Sequence, residues 1–253
     1  MTLASRTPTR IQLCGTTIVE ADGNRLESGI PGRQGRILFA FLVLNRDRPS
    51  SRSELAEAVW PGRSAPAASE AGLTPLISKL RRMLGRERFD GHGTIRLVLD
   101  RDARVDVEDA VRAVHRAESQ LALGNFTRAW SPSLAALFVS QREFLAGEDN
   151  PWVDEQRAYM SGVRTRALEA YAAACGGMGG TELPAAVRAS RELVHVAPLR
   201  ESGYRVLMRA LRDQGNPAEA LAVYSELRAV LRDELGVSPS PASQAVYEEL
   251  IGA

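Results

Sequence analysis

The stretch "PLISKLRRML", residues 75 to 84, decides the fold of the first half of this chain. It belongs to a series in which apolar residues recur at intervals of four, three and four, the spacing of one face of an α-helix. The members of that apolar series are Leu73, Ile77, Leu80 and Leu84. At 100° per residue, the opposite side holds Ser78, Lys79, Arg82 and Arg86, with Arg81 on the flank. The sequence therefore predicts a helix with an apolar inner face and a basic outer face.

The residues around this helix predict the rest of a winged helix-turn-helix domain. Residues 10–23 alternate and turn like two short strands, and helical periodicity begins near Arg33. Ser51 and Glu54 have the spacing of a capping box, which predicts the start of a short second helix. After the basic helix, "RFDGHGTIRLVLD" at 88–100 predicts a β-hairpin. The first half is therefore expected to be an α+β domain.

Pro75 and Gly72 bear on where the basic helix begins. A proline inside a helix removes one hydrogen bond and costs about 3 kcal/mol. In one arrangement the helix runs through Pro75 and is bent at its start. In the less costly one, the regular helix begins with Thr74 as the N-cap and Pro75 at the first position, where the missing N–H does no harm. The basic residues follow Pro75, so the basic face is expected in either arrangement.

The second half of the chain reads as helix throughout. Segments with helical periodicity follow one another from Val105, separated by turn residues. "AAVRASREL" at 185–193 and "EALAVYSEL" at 219–227 match at an offset of 34 residues, which is the tetratricopeptide period. We therefore predict a mixed fold, with the winged helix-turn-helix domain at 1–104 and an all-α, tetratricopeptide-like domain at 105–253.

Composition and charge narrow the class of protein. With 44% hydrophobic and 25% charged residues, the chain resembles a soluble globular protein. It lacks an apolar run of membrane-spanning length and a secretory signal, so a cytoplasmic location without a membrane partner is expected. Residues 1–104 hold 17 basic and 11 acidic residues, a net charge of +6, whereas residues 105–253 hold 15 and 20, a net charge of −5. The first half suits a polyanionic partner better than the second.

Sites for catalysis or cofactors are not supported by the sequence. A phosphate-binding P-loop needs a Gly-Lys-Ser/Thr step, and Lys79, the only lysine, follows a serine. The three histidines lie far apart without clustered acidic or cysteine partners, and the two cysteines are distant from each other. We therefore expect no enzyme activity, no catalytic residues, no metal and no cofactor.

Nucleic acid is the ligand that the basic helix suits chemically. A helix fits the major groove, where arginine and lysine donate to guanine O6 and N7 and serine reaches bases or phosphates. Basic side chains also neutralise phosphates and release counterions, which makes affinity depend on salt. A basic outer helix face is, however, also common on ordinary solvated surfaces.

Four longer stretches add a family resemblance. They are "RPSSRSELAEAVWPG" (48–62), "LISKLRRMLG" (76–85), "DNPWVDEQR" (149–157) and "EALAVYSELRAVLRDELGVSPSP" (219–241). With them the chain resembles, over nearly its whole length, the actinobacterial antibiotic regulatory protein family. These transcription activators join an OmpR-like winged helix to a bacterial transcriptional activator domain. The resemblance implies binding to direct DNA repeats near promoters by side-by-side protomers, or a homodimer, and recruitment of the RNA polymerase holoenzyme.

The resemblance also assigns roles to particular residues. The basic helix would meet bases and phosphates, the start of the second helix a phosphate, and the wing the neighbouring minor groove. Trp60 would either reach a phosphate or cap the core. The predicted DNA-binding residues are Thr74, Ser78, Lys79, Arg81, Arg82, Arg52, Thr94 and Arg96.

Two questions stay open at this level. One alternative function is a tetratricopeptide scaffold that binds a protein partner and has weak or lost DNA binding. The chain is also compatible both with a small stand-alone regulator and with a fragment of a larger one.

Overall fold

The computed structural model describes residues 8–62 and 66–252. The chain forms two compact units. The first consists of Met1–Asp109 with Arg142–Met160, and the second of Ala110–Gln141 with Ser161–Ala253. Packing thus assigns a stretch of the second half of the sequence to the N-terminal unit, while the boundary at 104/105 stays a prediction.

Short strands form two sheets in the N-terminal unit. They are β1 (Arg10–Gln12), β2 (Ile18–Ala21), β3 (Asn24–Arg25), β4 (Ser50–Ser51), β5 (Phe89–Asp90), β6 (Thr94–Leu97) and β7 (Arg104–Val105). The first sheet has the order β3-β2-β1-β7, with β7 parallel to β1 and the other pairs antiparallel. The second has the order β4-β6-β5 and is antiparallel. The predicted strands of residues 10–23 and the hairpin are confirmed, whereas β3, β4 and β7 were not predicted.

Three helices complete the winged helix-turn-helix arrangement. They are α1 (Gly32–Leu44), α2 (Arg52–Val59) and α3 (Pro66–Leu84), followed by the β5–β6 hairpin as the wing. The predicted capping box begins α2: the Glu54 N–H donates to Ser51 Oγ, and the Ser51 N–H donates back to the Glu54 carboxylate at 2.8 Å. These bonds satisfy two backbone donors that the first turn leaves open. The predicted order of elements is therefore confirmed.

The segment 142–160 packs into this N-terminal unit. The Leu145 N–H donates to the Leu13 carbonyl at 2.9 Å, and the Arg157 guanidinium donates to the carbonyl of Leu145 at 3.1 Å. The Trp152 ring lies 5.2 Å from the Phe41 ring on α1. Backbone pairing and aromatic packing therefore both hold the segment in place.

Glu148 is the buried charge of this segment. Its side chain is 1% exposed and accepts hydrogen bonds from Arg33, at 2.9 Å, and from Arg36. Both arginines lie in the first turns of α1 and keep about half of their surface in water. A buried carboxylate needs such partners, because leaving it unpaired costs several kcal/mol.

Asn150 joins the same segment to the helix-turn-helix. Its side-chain oxygen accepts from the Trp152 N–H at 2.9 Å, which caps the helix that follows, and its amide donates to the Ala58 carbonyl near the end of α2 at 3.1 Å. We expect Asn150→Ala to lower the free energy of unfolding by about 2 kcal/mol, since a cap is lost and a buried carbonyl loses its donor. Chemical denaturation measures this loss.

The neighbouring exposed residue provides a matched control for that variant. Asp149→Ala should change the free energy of unfolding by less than about 0.5 kcal/mol, as is usual for exposed positions. Equal losses in the Asp149 and Asn150 variants would contradict the role given to Asn150.

The remaining helices follow β7. They are α4 (Asp106–Ala122), α5 (Phe126–Ser140), α6 (Pro151–Met178), α7 (Leu183–Val196), α8 (Glu201–Asp213), α9 (Pro217–Leu235) and α10 (Pro241–Ile251). Helix α5 ends at Ser140, and the residues after it join the N-terminal unit. α10 was not predicted.

The helical unit has the core that its repeat predicted. Tyr204 and Leu207 of α8, and Ala220 and Tyr224 of α9, are all buried. Alanine at such a position lets the neighbouring helices approach closely, while the tyrosines fill the space between them. The tetratricopeptide-like interpretation of residues 105–253 therefore agrees with the packing.

Candidate nucleic-acid interface

Helix α3 has two chemically different faces. The apolar face is buried, and its members are Leu73, Ile77, Leu80 and Leu84. The opposite face is exposed, and its members are Ser78, Lys79 and Arg82. Neither Lys79 nor Arg82 has an ion-pair partner among residues 8–62 and 66–252. The predicted basic face therefore exists, with its charges available to a ligand.

The start of α3 differs from the prediction. The helix begins at Pro66 and continues through Pro75, so the prediction that Thr74 is its N-cap is wrong. Leu73 and Ile77 are both buried on the apolar face of the helix. If the helix began at Thr74, Leu73 would lie outside it and would not share that face with Ile77. Burial of these side chains outweighs the one hydrogen bond that Pro75 removes, because each buried aliphatic side chain stabilises by about 2 kcal/mol.

Gly72 fits this longer helix because Trp60 packs against it. A Cβ atom at residue 72 would lie 2.9 Å from the Trp60 ring, closer than carbon atoms normally approach. The glycine thus makes room for the indole next to α3. This contact favours the core role for Trp60 over the phosphate contact, the two possibilities that the sequence left open.

Arg52 and Thr74 are brought together in the turn region. The Arg52 guanidinium donates to Thr74 Oγ1 at 2.7 Å, which connects the first residue of α2 to the middle of α3. Two residues of the predicted DNA-binding set therefore lie side by side, 22 positions apart in sequence. Thr74 is exposed and Arg52 half-buried.

Arg81 faces the wing rather than open solvent. Its guanidinium donates to the Gly91 carbonyl at 3.1 Å and lies 5.9 Å from the centre of the Phe89 ring. Such contacts combine a hydrogen bond with a cation–π attraction. Arg81 therefore positions the hairpin relative to α3.

The wing holds the last two predicted residues. Arg96 of β6 forms an ion pair with Asp90 of β5 at 2.7 Å, so its charge is partly compensated within the hairpin. Thr94 is exposed at the start of β6. Of the predicted basic residues, Lys79 and Arg82 are thus the ones whose cationic groups lack any described partner.

A buried arginine anchors the base of the hairpin. Arg88 is 8% exposed and contacts Asp100 at 3.2 Å and Asp22 at 3.6 Å, while also donating to Thr9 Oγ1. These partners come from both sides of the hairpin and from the first sheet. Arg88 therefore has a structural role, unlike the exposed arginines of α3.

The cysteines do not have the properties of nucleophiles. Burial, with a further contribution from Asp106, raises the pKa of the Cys14 thiol to about 12, and burial raises that of Cys175 to about 11. A reactive cysteine requires a lowered pKa and access to solvent. Among the described residues, no cluster of three or more His, Cys, Asp or Glu side chains is placed to hold a metal ion.

A helix that spans a membrane needs both sufficient length and an apolar surface. Within the described part of the chain, no helix is both long and apolar enough to cross a bilayer.

Known proteins similar to this chain identify its family. Residues 105–251 match the model of the bacterial transcriptional activator domain. The regulatory protein AfsR of Streptomyces coelicolor is 30% identical over 253 residues, which cover 96% of this chain and 24% of AfsR. The chain belongs to the actinobacterial antibiotic regulatory protein family. The family expected from the sequence is thereby confirmed.

Further relatives within this family are named as regulators. The transcriptional regulatory protein MoaR1 of Mycobacterium tuberculosis is 28% identical, covering 90% of this chain and 75% of MoaR1. These names confirm the expectation of a regulator rather than an enzyme. The chain spans about a quarter of the length of the AfsR proteins that it matches.

A solved structure confirms the fold class expected for the family. Mycobacterium tuberculosis EmbR, in complex with a low affinity phosphopeptide, superposes with a TM-score of 0.83 at 24% identity, covering 97% of this chain and 65% of EmbR. At that identity the match concerns the fold alone. It agrees with a winged helix-turn-helix unit followed by helices.

Sequence reasoning missed the support that the N-terminal unit of this chain receives from residues 142–160. The sequence Asn150-Pro151 indicates the start of a helix, since asparagine is a common N-cap and proline is favoured at the first helical position. Its partner, the Ala58 carbonyl, lies 92 residues away, and no local pattern encodes that distance.

Proposed function

We propose that this chain activates transcription by binding duplex DNA through the exposed face of α3. The proposal rests on the two faces of α3: Lys79 and Arg82 are exposed and have no ion-pair partner among the described residues, and the opposite face is apolar and buried. Because the apolar face holds α3 in the core, the basic face can enter a DNA groove without disturbing the packing of the helix. The alternative of an ordinary solvated surface does not account for a wing and a capped second helix around these cations.

Each side chain of the face has a defined chemistry in this proposal. Arg82 would donate two hydrogen bonds to guanine O6 and N7, and Lys79 would donate to the same acceptors on a neighbouring base. Ser78 would reach a base or a phosphate. Arg81 acts by holding the wing, and so contributes to the shape of the interface.

The remaining predicted residues would make contacts at the edges of this face. Arg52 and Thr74, already bonded to each other, would share a backbone phosphate at the start of α2. Thr94 and Arg96 of the wing would lie at the minor groove. There the Arg96 guanidinium would bind a phosphate, and its ion pair with Asp90 would weaken.

The partners follow from the family and from charge. We propose that protomers bind side by side, or as a homodimer, on direct repeats near promoters of antibiotic-biosynthesis genes. Residues 105–253 have a net charge of −5, which disfavours DNA and leaves their surface for the RNA polymerase holoenzyme. Such a function places the protein in the cytoplasm, together with the chromosome.

The proposal is tested by measuring DNA affinity as salt is varied. The duplex would carry a direct repeat from the region upstream of the protein's own gene, with a scrambled duplex as its control. We expect preference for the repeat, and a roughly 40-fold loss of affinity per protomer between 50 and 200 mM salt if about three phosphates are neutralised. Fluorescence anisotropy measures both quantities.

Two outcomes of this measurement would reject DNA recognition. Equal affinity for the repeat and the scrambled duplex would remove sequence specificity. Absent or salt-insensitive binding would instead favour the scaffold function, in which the helical unit binds a protein partner.

A further inference from the structure

A pocket of about 590 Å³ lies between α4 and α5 of the helical unit. Its size falls in the range of pockets that bind small organic molecules. His115, Arg116 and Ser119 of α4 line one side, and Arg128, Ser131 and Pro132 of α5 line the other. The pocket is thus rich in cations and hydroxyl groups.

Helical spacing explains why these side chains meet. On α4, His115 and Ser119 are four residues apart, and on α5, Arg128 lies three and four residues before Ser131 and Pro132. Residues at such spacings lie on one face of a helix. One face of α4 and one face of α5 therefore line the same pocket.

The charges of this pocket are uncompensated. Neither Arg116 nor Arg128 has an ion-pair partner within the described ranges, and no acidic side chain is among the residues that line the pocket. Other arginines of the same unit are paired, as Arg164 is with Glu192 at 2.6 Å and Arg200 with Glu169 at 2.8 Å. The pocket therefore has local positive potential in a half of the chain that is acidic as a whole.

The nearest acidic residue on α4 is already engaged. Glu118 accepts from Arg166 at 2.8 and 2.6 Å with its two oxygens, and that guanidinium holds the pKa of Glu118 below its ordinary value. Glu118 is thus bonded to α6 and does not neutralise the two pocket arginines.

Pro132 contributes an apolar ring to the same pocket. Ser119 of α4 and Ser131 of α5 contribute hydroxyl groups. The pocket therefore combines guanidinium groups that can bind an anion with hydroxyl groups and an apolar ring.

We propose that this pocket binds a small phosphorylated metabolite, with its phosphate between Arg116 and Arg128. Two planar guanidinium groups match the several oxygens and double charge of a phosphate monoester better than the two oxygens of a carboxylate. The hydroxyls of Ser119 and Ser131 and the Pro132 ring suit the sugar part of such a molecule. This site is independent of DNA binding by α3.

Calorimetric titration of the full chain with ribose 5-phosphate tests the proposal, with ribose and inorganic phosphate as comparison probes. We expect binding of ribose 5-phosphate, weaker binding of inorganic phosphate and none of ribose. Arg116→Gln with Arg128→Gln should weaken ribose 5-phosphate binding at least tenfold, without changing the melting temperature. Ser131→Asp, which adds a negative charge to the pocket, should weaken it as well.

A matched control keeps the number of removed charges equal. Arg188 and Arg228 are exposed arginines of the same unit without an ion pair among the described residues, and neither lines the pocket. Arg188→Gln with Arg228→Gln should leave ribose 5-phosphate binding within twofold. An equal loss in both double variants, or no binding by the unmodified chain, would overturn the proposal.

Duplex DNA in the same variants separates this inference from the proposed function. We expect the pocket variant to bind DNA as the unmodified chain does. If the pocket variant loses tenfold in DNA affinity and the unmodified chain binds neither ribose 5-phosphate nor inorganic phosphate, Arg116 and Arg128 contact DNA. That result would reject the pocket. Retained phosphate binding in a chain that fails to bind DNA would reject the proposed function and leave the pocket intact.

Discussion

Replacing Lys79 and Arg82 together by alanine is expected to lower the affinity for a specific direct repeat at least about 30-fold, because each contact to a base contributes about 1–3 kcal/mol. Both side chains are exposed and lack an ion-pair partner in the described part of the chain. Their removal therefore leaves no buried group unsatisfied. The melting temperature should stay unchanged while specific binding is lost.

Fluorescence anisotropy at one fixed salt concentration measures this effect, with the scrambled duplex alongside. The affinity for the scrambled duplex should fall much less than that for the repeat. Arg10→Ala with Arg101→Ala is the matched control, because both are exposed arginines of the N-terminal unit outside α3 and the hairpin. Equal losses in the two double variants would show that only total charge matters and would contradict base recognition by α3.

The second large effect concerns the opposite face of the same helix. Leu80 is 0% exposed, so Leu80→Ala should lower the free energy of unfolding by about 3 kcal/mol through lost burial and the cavity left behind. Leu80→Met keeps the volume and should cost less than about 1.5 kcal/mol. Urea denaturation followed by tryptophan fluorescence measures both, since Trp60 and Trp152 lie in the N-terminal unit.

The two faces of α3 should respond in opposite ways. Removing the basic side chains changes DNA affinity without changing stability, whereas Leu80→Ala changes stability and affects DNA affinity only through the smaller folded fraction. Cooling or a stabilising osmolyte should therefore restore DNA binding to Leu80→Ala. A Leu80→Ala protein as stable as the unmodified chain would contradict the assignment of the apolar face to the core.

Much of the N-terminal unit was predictable because its signals are local. The capping box of Ser51 and Glu54 lies within one helical turn, and the hairpin is marked by glycines between alternating residues. A strand of two residues is too short to show the alternation of apolar and polar residues from which strands are predicted. β4 and β7 are each two residues long and exist because β6 and β1 offer backbone partners.

The position of the candidate side chains on α3 was predictable from the sequence, but their bonding partners were not. Helical periodicity placed Lys79, Arg81 and Arg82 on or beside the outer face of α3. Periodicity does not indicate that Arg81 bonds to the wing at Gly91, or that Arg96 is paired with Asp90. Those bonds depend on how the hairpin lies against the helix, which is a property of the folded unit.

By itself, the sequence determined that α3 has an apolar and a basic face, that a capped helix precedes it and a hairpin follows, and that the second half is helical. These features depend on residues within a few positions of one another. Only the tertiary structure decided that α3 continues through Pro75, that Glu148 and Asn150 belong to the N-terminal unit, and that Lys79 and Arg82 form no ion pair with the residues that the structure describes. The physical reason is that burial and ion pairing join side chains far apart in sequence, and their energies outweigh local preferences such as the cost of one proline.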